Sequence, residues 1–144
     1  MTSWLLPDVN VWVAMHHQRH AHHNAAQAWY DGLNEPLLVF CRQTQLGFFR
    51  ILTTLTVMGN ETLTQRQCWT IYEKWLAGGF AIEQPEPLDI GPAFRNRTFA
   101  AEPAPKTWMD AYLAAFAETA GLTLVTFDRA LAGKAKGAVL LGKS

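Results

Sequence analysis

The stretch TWMDAYLAAFAETAGLTLVTFDRAL, residues 107–131, decides the fold class of this 144-residue chain. Its first half repeats apolar residues at the spacing of one helix face, namely Met109, Leu113, Phe116 and Ala117. This spacing predicts a helix over Thr107–Ala120 that Gly121 terminates. The apolar run Leu122–Phe127 follows at once and predicts a buried strand that ends at Asp128. A helix followed directly by a short buried strand indicates an alternating α/β domain.

Strands and helices alternate through the rest of the chain as well. Short apolar runs predict further strands at Trp4–Leu6, Leu37–Cys41, Phe80–Ile82 and Ala138–Leu141. Apolar patterns predict helices at Val9–Met15, His20–Tyr30, Thr44–Leu52 and Thr64–Leu76, with Thr44 and Thr64 as N-caps. Residues 84–106 hold five prolines and are expected to form a loop with one helical turn at Ala93–Arg97. The alternation predicts one α/β domain over residues 1–144, with a central, mainly parallel sheet flanked by helices.

Composition limits the partners and the location of this domain. The 12 basic and 12 acidic residues balance, so local charge or a metal ion would have to attract any nucleic acid. Cys41 and Cys68 lack CxxC spacing; a disulfide between them is an alternative, but we expect buried free thiols. The N-terminus has no basic segment before its apolar run, and no apolar run is long enough to span a bilayer. We expect a soluble, cytoplasmic protein without a signal peptide.

Three aspartates occupy comparable places in the predicted fold. Asp8 follows the first strand, Asp128 follows the strand Leu122–Phe127, and Asp110 lies in the first turn of the helix Thr107–Ala120. The carboxyl ends of parallel strands and nearby helix N-termini share one edge of a sheet, so the three carboxylates are expected to converge. Their repulsion would require protonation or a cation, and Mg²⁺, which takes oxygen ligands, is the obvious ion. Taken singly, each aspartate is better explained by a structural role: Asp8 as a helix cap, Asp110 as a residue favoured by the helix dipole, and Asp128 as a turn residue.

Three blocks of the sequence resemble, in the same order, the motifs of one known protein family. LLPDVNVWVA, residues 5–14, resembles the family opening, in which an Asp follows the first strand and an Asn comes two residues later. CRQTQLGFFRILT, residues 41–53, resembles the segment that carries the second acidic position. Residues 107–131 resemble the C-terminal signature, an Asp early in a helix, an apolar strand and then T-x-D. Together the three blocks resemble the PIN-domain ribonucleases, specifically the VapC-like toxins. The resemblance implies a PIN-like three-layer fold.

The resemblance also implies which residues form the site. It implies a site for Mg²⁺ or Mn²⁺ made of three aspartates, Asp8, Asp110 and Asp128. Asn10 and Thr126 would support these carboxylates through hydrogen bonds. Gln45, the fourth member of the catalytic group, departs from the family, which usually has Glu there; an amide can accept a hydrogen bond but cannot act as a base. Either three aspartates suffice, or the metal is held more weakly, or activity has been lost, and we expect the first.

The implied activity is that of an endoribonuclease toxin that hydrolyses RNA phosphodiester bonds with a divalent ion. Its implied targets are structured RNAs such as transfer RNA, and its implied partners are a second copy of the chain and a VapB-like antitoxin that covers the acidic site. Because Gln45 stands where the family usually has Glu, an alternative function remains: a catalytically inactive PIN-fold module that binds RNA or protein. A receiver-like or phosphatase function would need a Lys after a later strand, and Lys143, near the chain end, is a poor candidate.

Other residue groups compete with the aspartates for a functional role. Five histidines fall within eight residues, at His16, His17, His20, His22 and His23. On a helix their spacing is compatible with a transition metal, but we expect a surface that is solvated or touches RNA. Arg50 and Arg129 are candidate RNA contacts. Core or interface packing is expected for four tryptophans, Trp12, Trp69, Trp75 and Trp108.

Overall fold

A computed structural model describes residues 4–142, and at its centre lies a sheet of five parallel strands. The strands are β1 Leu5–Pro7, β2 Leu38–Phe40, β3 Ala81–Glu83, β4 Thr123–Thr126 and β5 Val139–Leu140. They lie in the order β3-β2-β1-β4-β5, and every neighbouring pair is parallel. β1 is the central strand, with Leu5 paired to Leu38 on one side and to Thr123 on the other. The predicted parallel α/β sheet is confirmed.

Helices cover both faces of this sheet. They are α1 Val9–His16, α2 His23–Asp31, α3 Arg42–Leu52, α4 Leu55–Met58, α5 Gln65–Ala77, α6 Ile90–Arg97, α7 Trp108–Ala120 and α8 Arg129–Ala132, and a 3₁₀ turn follows α4 at Gly59–Glu61. Because successive side chains of a strand point to opposite faces, Leu38 and Phe40 pack into one apolar cluster with α1, α3 and α5. Val39 packs into the other cluster, with α6, α7 and α8. Two buried clusters on the two faces make the three-layer arrangement.

An aromatic stack fills the first of these clusters. Trp12 of α1 is completely buried, and its ring lies 3.7 Å from that of Phe40, nearly parallel at 12°. Trp75 stacks against the same indole at 5.6 Å. Aromatic rings bury large apolar areas, so this stack holds α1 and α5 against β2. Trp69 and Trp108 are instead about half exposed, at 47% and 49%.

Two glycines are required by the structure, one by a close neighbour and one by its own backbone conformation. A Cβ added to Gly47 of α3 would lie 2.4 Å from Cγ2 of Val9, so the absence of a side chain allows α1 and α3 to approach closely. Gly121 ends α7, as predicted, with a φ of 70° in the left-handed region that favours glycine. Its N–H donates to the carbonyl of Ala117, which satisfies an acceptor at the helix end.

Two predicted helix starts are wrong, each because of local hydrogen bonding. α3 begins at Arg42 rather than Thr44, since Cys41 occupies the N-cap and the Thr44 hydroxyl accepts from the Cys41 N–H at 3.0 Å from within the first turn. α2 begins at His23 rather than His20, because residues 17–22 form turns between α1 and α2.

The proline-rich segment contains more helix than its composition predicts. Residues 90–97 form α6 instead of one turn, and α6 packs on α7, with the ring of Phe94 lying 5.8 Å from that of Tyr112.

The short helices α4 and α8 are also absent from the sequence prediction, since helices of four residues give no periodic signal. Thr64 caps α5 as predicted, accepting from the Gln67 N–H at 3.1 Å.

Cys41 and Cys68 are buried and free, as predicted. Between residues 4 and 142, no helix has the length and apolar character needed to cross a membrane. Two predictions involve residues outside the described range. Met1–Ser3 begin the segment expected not to be a signal peptide, and Lys143 bears on the receiver-like alternative.

Candidate active site

Two of the predicted aspartates lie at the carboxyl ends of the neighbouring strands β1 and β4. Asp8 directly follows β1, and Asp128 lies two residues after β4. Each is also the N-cap of the next helix. Asp8 accepts from the Val11 N–H at 3.2 Å, and Asp128 accepts from the N–H groups of Ala130 at 2.8 Å and Leu131 at 3.2 Å. The capping role that the sequence leaves open is therefore present together with the placement at one sheet edge.

Thr126, the last residue of β4, joins these two aspartates. Its hydroxyl donates to Oδ2 of Asp8 and accepts from the backbone N–H of Asp128 at 2.9 Å. Thr126 is completely buried and Asp8 is buried, whereas Asp128 is exposed. A buried carboxylate needs hydrogen-bond donors to remain charged, because water is excluded from it. The hydroxyl of Thr126 is such a donor for Asp8.

Asp110 adds a third carboxylate to this group from the first turn of α7, where it is half-buried. Burial raises its pKa, the negative charge of Asp128 raises it further, and Lys134 lowers it. Burial also raises the pKa of Asp8, against the lowering effect of the Thr126 hydrogen bond, and Asp128 adds to the rise. Since Asp128 acts on both of the others, the three carboxylates share one electrostatic environment.

Among the residues that the structure describes, no ion pair neutralises these carboxylates. The ion pairs of residues 4–142 lie outside the group of carboxylates; they are His17–Glu61 at 2.8 Å and Arg97–Glu118 at 3.0 Å. Within the same residues, no three His, Cys, Asp or Glu side chains lie close enough to form a ready-made metal cage. Mg²⁺ usually keeps several waters and needs only one or two carboxylates, so a group of carboxylate and hydroxyl oxygens fits this ion without such a cage.

Gln45 belongs to a second polar group. It is buried in α3, its carbonyl oxygen accepts from Arg42, and its Nε2 donates to Oε1 of Glu83 at 3.4 Å. The hydroxyl of Tyr72 donates to the same oxygen at 2.7 Å, and burial together with this bond raises the pKa of Tyr72 far above its usual value. Glu83 is not among the predicted site residues, although a carboxylate just after the predicted strand Phe80–Ile82 gives the same signal as Asp8.

The sequence pattern of the PIN domain matches residues 5–137, a range that includes the three aspartates and all strands except β5. The chain belongs to the PIN-domain family. Ribonuclease VapC41 of Mycobacterium tuberculosis is 43% identical over 131 residues, which cover 88% of this chain and 90% of the relative. This relationship places the PIN-domain chain among the VapC-like ribonucleases.

Solved structures share the PIN-domain fold. FitAB bound to an IR36 DNA fragment has a TM-score of 0.67 and 20% identity, and the match covers 94% of this chain and 93% of that one. The sarcin-ricin loop cleaving toxin VapC20 of Mycobacterium tuberculosis has a TM-score of 0.64 and 11% identity, with coverage of 90% and 93%. At these identities the two structures establish the fold alone.

The remaining predicted residues of this PIN-domain protein make no side-chain bond to the carboxylates in the described part of the chain. The exposed Asn10 contributes its backbone N–H, which lowers the pKa of Asp8. Arg50 is exposed on α3, and Arg129 is the exposed first residue of α8. Lys134, which acts on Asp110, has no distinguishing sequence signal, because only the fold brings the turn after α8 towards α7.

The histidines of this PIN-domain protein do not share a helix. α1 ends at His16 and α2 begins at His23, so the helical spacing that favoured a transition metal is not realised. His17 is buried and pairs with Glu61, and His23 Nδ1 donates to the carbonyl of Ala14 at 2.7 Å. The expectation of a solvated surface is therefore wrong for the buried His17, whereas His23 is partly exposed and bonds α2 to α1.

Proposed function

We propose that this chain is a divalent-metal-dependent endoribonuclease toxin that a cognate antitoxin inhibits. The observation that carries the proposal is the position of Thr126, whose hydroxyl joins Asp8 to the backbone of Asp128 across two neighbouring strands. Membership of the PIN-domain family and 43% identity to a ribonuclease support the same activity. The donors of the group are oxygen atoms, which supports Mg²⁺ or Mn²⁺ as the ion.

In this proposal the ion is held by three aspartates, Asp8, Asp110 and Asp128. A bound divalent ion would stabilise the negative charge that builds on the phosphate under attack. Thr126 orients Asp8 and favours its ionised form by donating a hydrogen bond. The two helix N–H groups that bind Asp128 both reach Oδ1, which orients the carboxylate and leaves Oδ2 free of these bonds. Lys134 lies close enough to Asp110 to affect its pKa, and we propose that it also contacts the phosphate.

We propose that three aspartates suffice for activity. Gln45 is hydrogen-bonded to Arg42 and Glu83, so its amide already has partners in the second polar group. An amide cannot accept a proton as a general base, and its proposed role is to hold neighbouring side chains in place.

The proposal extends to the partners of the chain. Residues 1–144 are proposed to act as one domain on structured RNA such as transfer RNA, in the cytoplasm, with Arg50 and Arg129 contacting phosphates. A VapB-like antitoxin is proposed to cover the acidic group. The exposed Trp69 and Trp108 are proposed to pack at the interface of a homodimer, because exposed tryptophans are enriched in protein interfaces.

RNA cleavage with matched variants tests the proposed activity. Purified wild-type chain, Asp110→Asn and Asp89→Asn are incubated with RNA in the presence of Mg²⁺, Mn²⁺ or a chelator. Asp89 is an exposed aspartate whose side chain makes no capping bond, so it controls for the loss of one negative charge. We expect metal-dependent cleavage by the wild type and the control, and a rate at least about 100-fold lower for Asp110→Asn.

Two results would contradict the proposal. Cleavage by Asp110→Asn at the wild-type rate would remove this aspartate from the site. Wild-type chain that binds RNA but leaves it intact with both ions would be an inactive RNA-binding module of the same fold.

A further inference from the structure

A cavity of about 1070 Å³ lies beside the aspartates, between α3, the start of α7 and the end of β3. Asn10, two residues after Asp8, and Met109, directly before Asp110, both line it. The cavity therefore opens next to the proposed metal site. Small-molecule sites in proteins typically have volumes of roughly 300–1000 Å³, so this cavity is large enough for a nucleobase and its sugar.

One wall of the cavity holds a carboxylate in a fixed position. Glu83 accepts at Oε1 from Tyr72 of α5 and from Gln45 of α3, and Arg42 in turn holds Gln45. Ordering an exposed glutamate costs side-chain entropy, so support from two buried side chains indicates an acceptor that is kept in place. Both bonds fall on Oε1, and between residues 4 and 142 the structure records no donor to Oε2 of Glu83.

A second acceptor in the same cavity is buried without a donor. Gln43 lines the cavity, and its Nε2 donates to the carbonyl of Met109 at 3.1 Å, which fixes the orientation of the amide. Its Oε1 is buried and has no hydrogen-bond partner in the described part of the chain. Burying an acceptor in this way costs free energy, which a ligand with donor groups would recover.

The other walls suit an aromatic ligand with a phosphate attached. Of the aromatic residues in the lining, Tyr112 is partly exposed and can stack on a base, whereas Phe40 and Phe116 are completely buried behind the surface of the cavity. The exposed Arg42 and Arg50 contribute positive charge. Proteins recognise unstacked RNA bases by stacking them on aromatic side chains and by hydrogen-bonding their edges, while arginines contact phosphates. The cavity combines these features with two acceptors.

We propose that this cavity binds one guanine of the RNA substrate, with Glu83 as the specificity-determining residue. The inference rests on the proposed ribonuclease function. The Watson–Crick edge of guanine carries two adjacent donors, N1–H and the N2 amino group, and a carboxylate accepts from such a pair. Uracil carries one donor between two carbonyl oxygens, which a carboxylate repels. Gln43 offers its Oε1 as a further acceptor for the base or its ribose.

Binding of two hexanucleotide RNAs tests the proposal. One is all uridine and the other has a single guanosine, and both are titrated calorimetrically in a chelator, where no metal-dependent cleavage occurs. We expect the wild type to prefer the guanosine RNA by about tenfold or more. Glu83→Gln should lose this preference, because its amide presents a donor to the donor edge of guanine. Glu73→Gln, an exposed charge-matched control on α5 outside the cavity, should keep it.

A thermal unfolding curve confirms that Glu83→Gln is folded, since its carbonyl oxygen can still accept from Tyr72. Equal wild-type affinity for the two RNAs overturns the proposal, as does a preference that survives in Glu83→Gln. The proposal is also overturned if Glu83→Gln keeps the RNA preference and instead weakens the complex with the antitoxin, because the cavity would then bind protein. Guanosine preference without cleavage in Mg²⁺ would support the base site and refute the ribonuclease function, so the two failures are distinguishable.

Discussion

Replacing Thr126 with Val removes the hydroxyl that joins Asp8 and Asp128 while keeping the shape of the side chain. Thr126 is completely buried and Asp8 is only 8% exposed, so water cannot readily replace the lost donor. A hydrogen bond to a charged group contributes about 1.5–3 kcal/mol, and the added methyl group offsets up to ~0.8 kcal/mol. We expect the free energy of unfolding of Thr126→Val to fall by about 1–2 kcal/mol when Asp8 is ionised.

This loss should depend on pH. The Thr126 hydrogen bond lowers the pKa of Asp8, so its removal raises the pKa of Asp8 in the folded state beyond the rise that burial already causes. As the pH falls, the folded variant binds a proton at Asp8 before the wild type does, and a neutral carboxyl no longer needs the missing donor. We therefore expect the difference in unfolding free energy to shrink between neutral pH and about pH 4.

Urea unfolding followed by tryptophan fluorescence at both pH values measures the effect. Thr126→Ser is the matched control: it keeps the hydroxyl and loses a buried methyl group, which costs about 1 kcal/mol at either pH. RNA cleavage should fall in Thr126→Val and persist in Thr126→Ser. A loss in Thr126→Val that stays the same at both pH values would refute the reasoning, because the hydroxyl would then not be stabilising a charge.

Further predictions concern the second polar group and the contact between α1 and α3. Gln45→Glu would place a carboxylate about 3.4 Å from Oε1 of Glu83. Urea unfolding should show a lower free energy of unfolding at neutral pH and a smaller loss in acid, where the carboxylates are protonated. Adding Glu83→Gln to the same chain should restore the stability. Stability unaffected by pH would rule out this repulsion. Gly47→Ala should lower stability by about 1–3 kcal/mol through overlap with Val9, measured by thermal unfolding, and Val9→Ala should recover part of it. Gly91→Ala, where an added Cβ meets nothing within 4 Å, is the control and should be neutral or stabilising; an equal effect at both glycines would contradict the close-approach argument.

Local patterns account for the parts of the fold that the sequence predicts well. The predicted helix Thr107–Ala120 differs by one residue from α7, and the strand Leu122–Phe127 contains β4. Helical spacing, a terminating glycine and a short apolar run are properties of neighbouring residues, so they can be recognised without tertiary structure. The placement of Asp8 and Asp128 after strands follows from the same local patterns.

Elements whose stability comes from packing are the ones that the sequence predicts poorly. α6 lies in a proline-rich segment whose composition indicates a loop, yet Ile90 is buried against the cluster under α7. A short helix gains most of its stability from such tertiary contacts and little from its own propensity. Glu83 illustrates the same limit in the site, since only the fold shows that Tyr72 and Gln45 converge on it.

By itself, the sequence determines the alternation of strands and helices and the presence of carboxylates at the strand ends. Only the tertiary structure decides that Thr126 meets Asp8, 118 positions away, and that Gln45 meets Glu83, 38 positions away. The physical reason is that the order of the parallel strands across the sheet determines which residues become neighbours. β4 lies beside β1, and β3 lies at the edge beyond β2, because burial of both sheet faces selects that order, and periodicity along one strand carries no information about its neighbour.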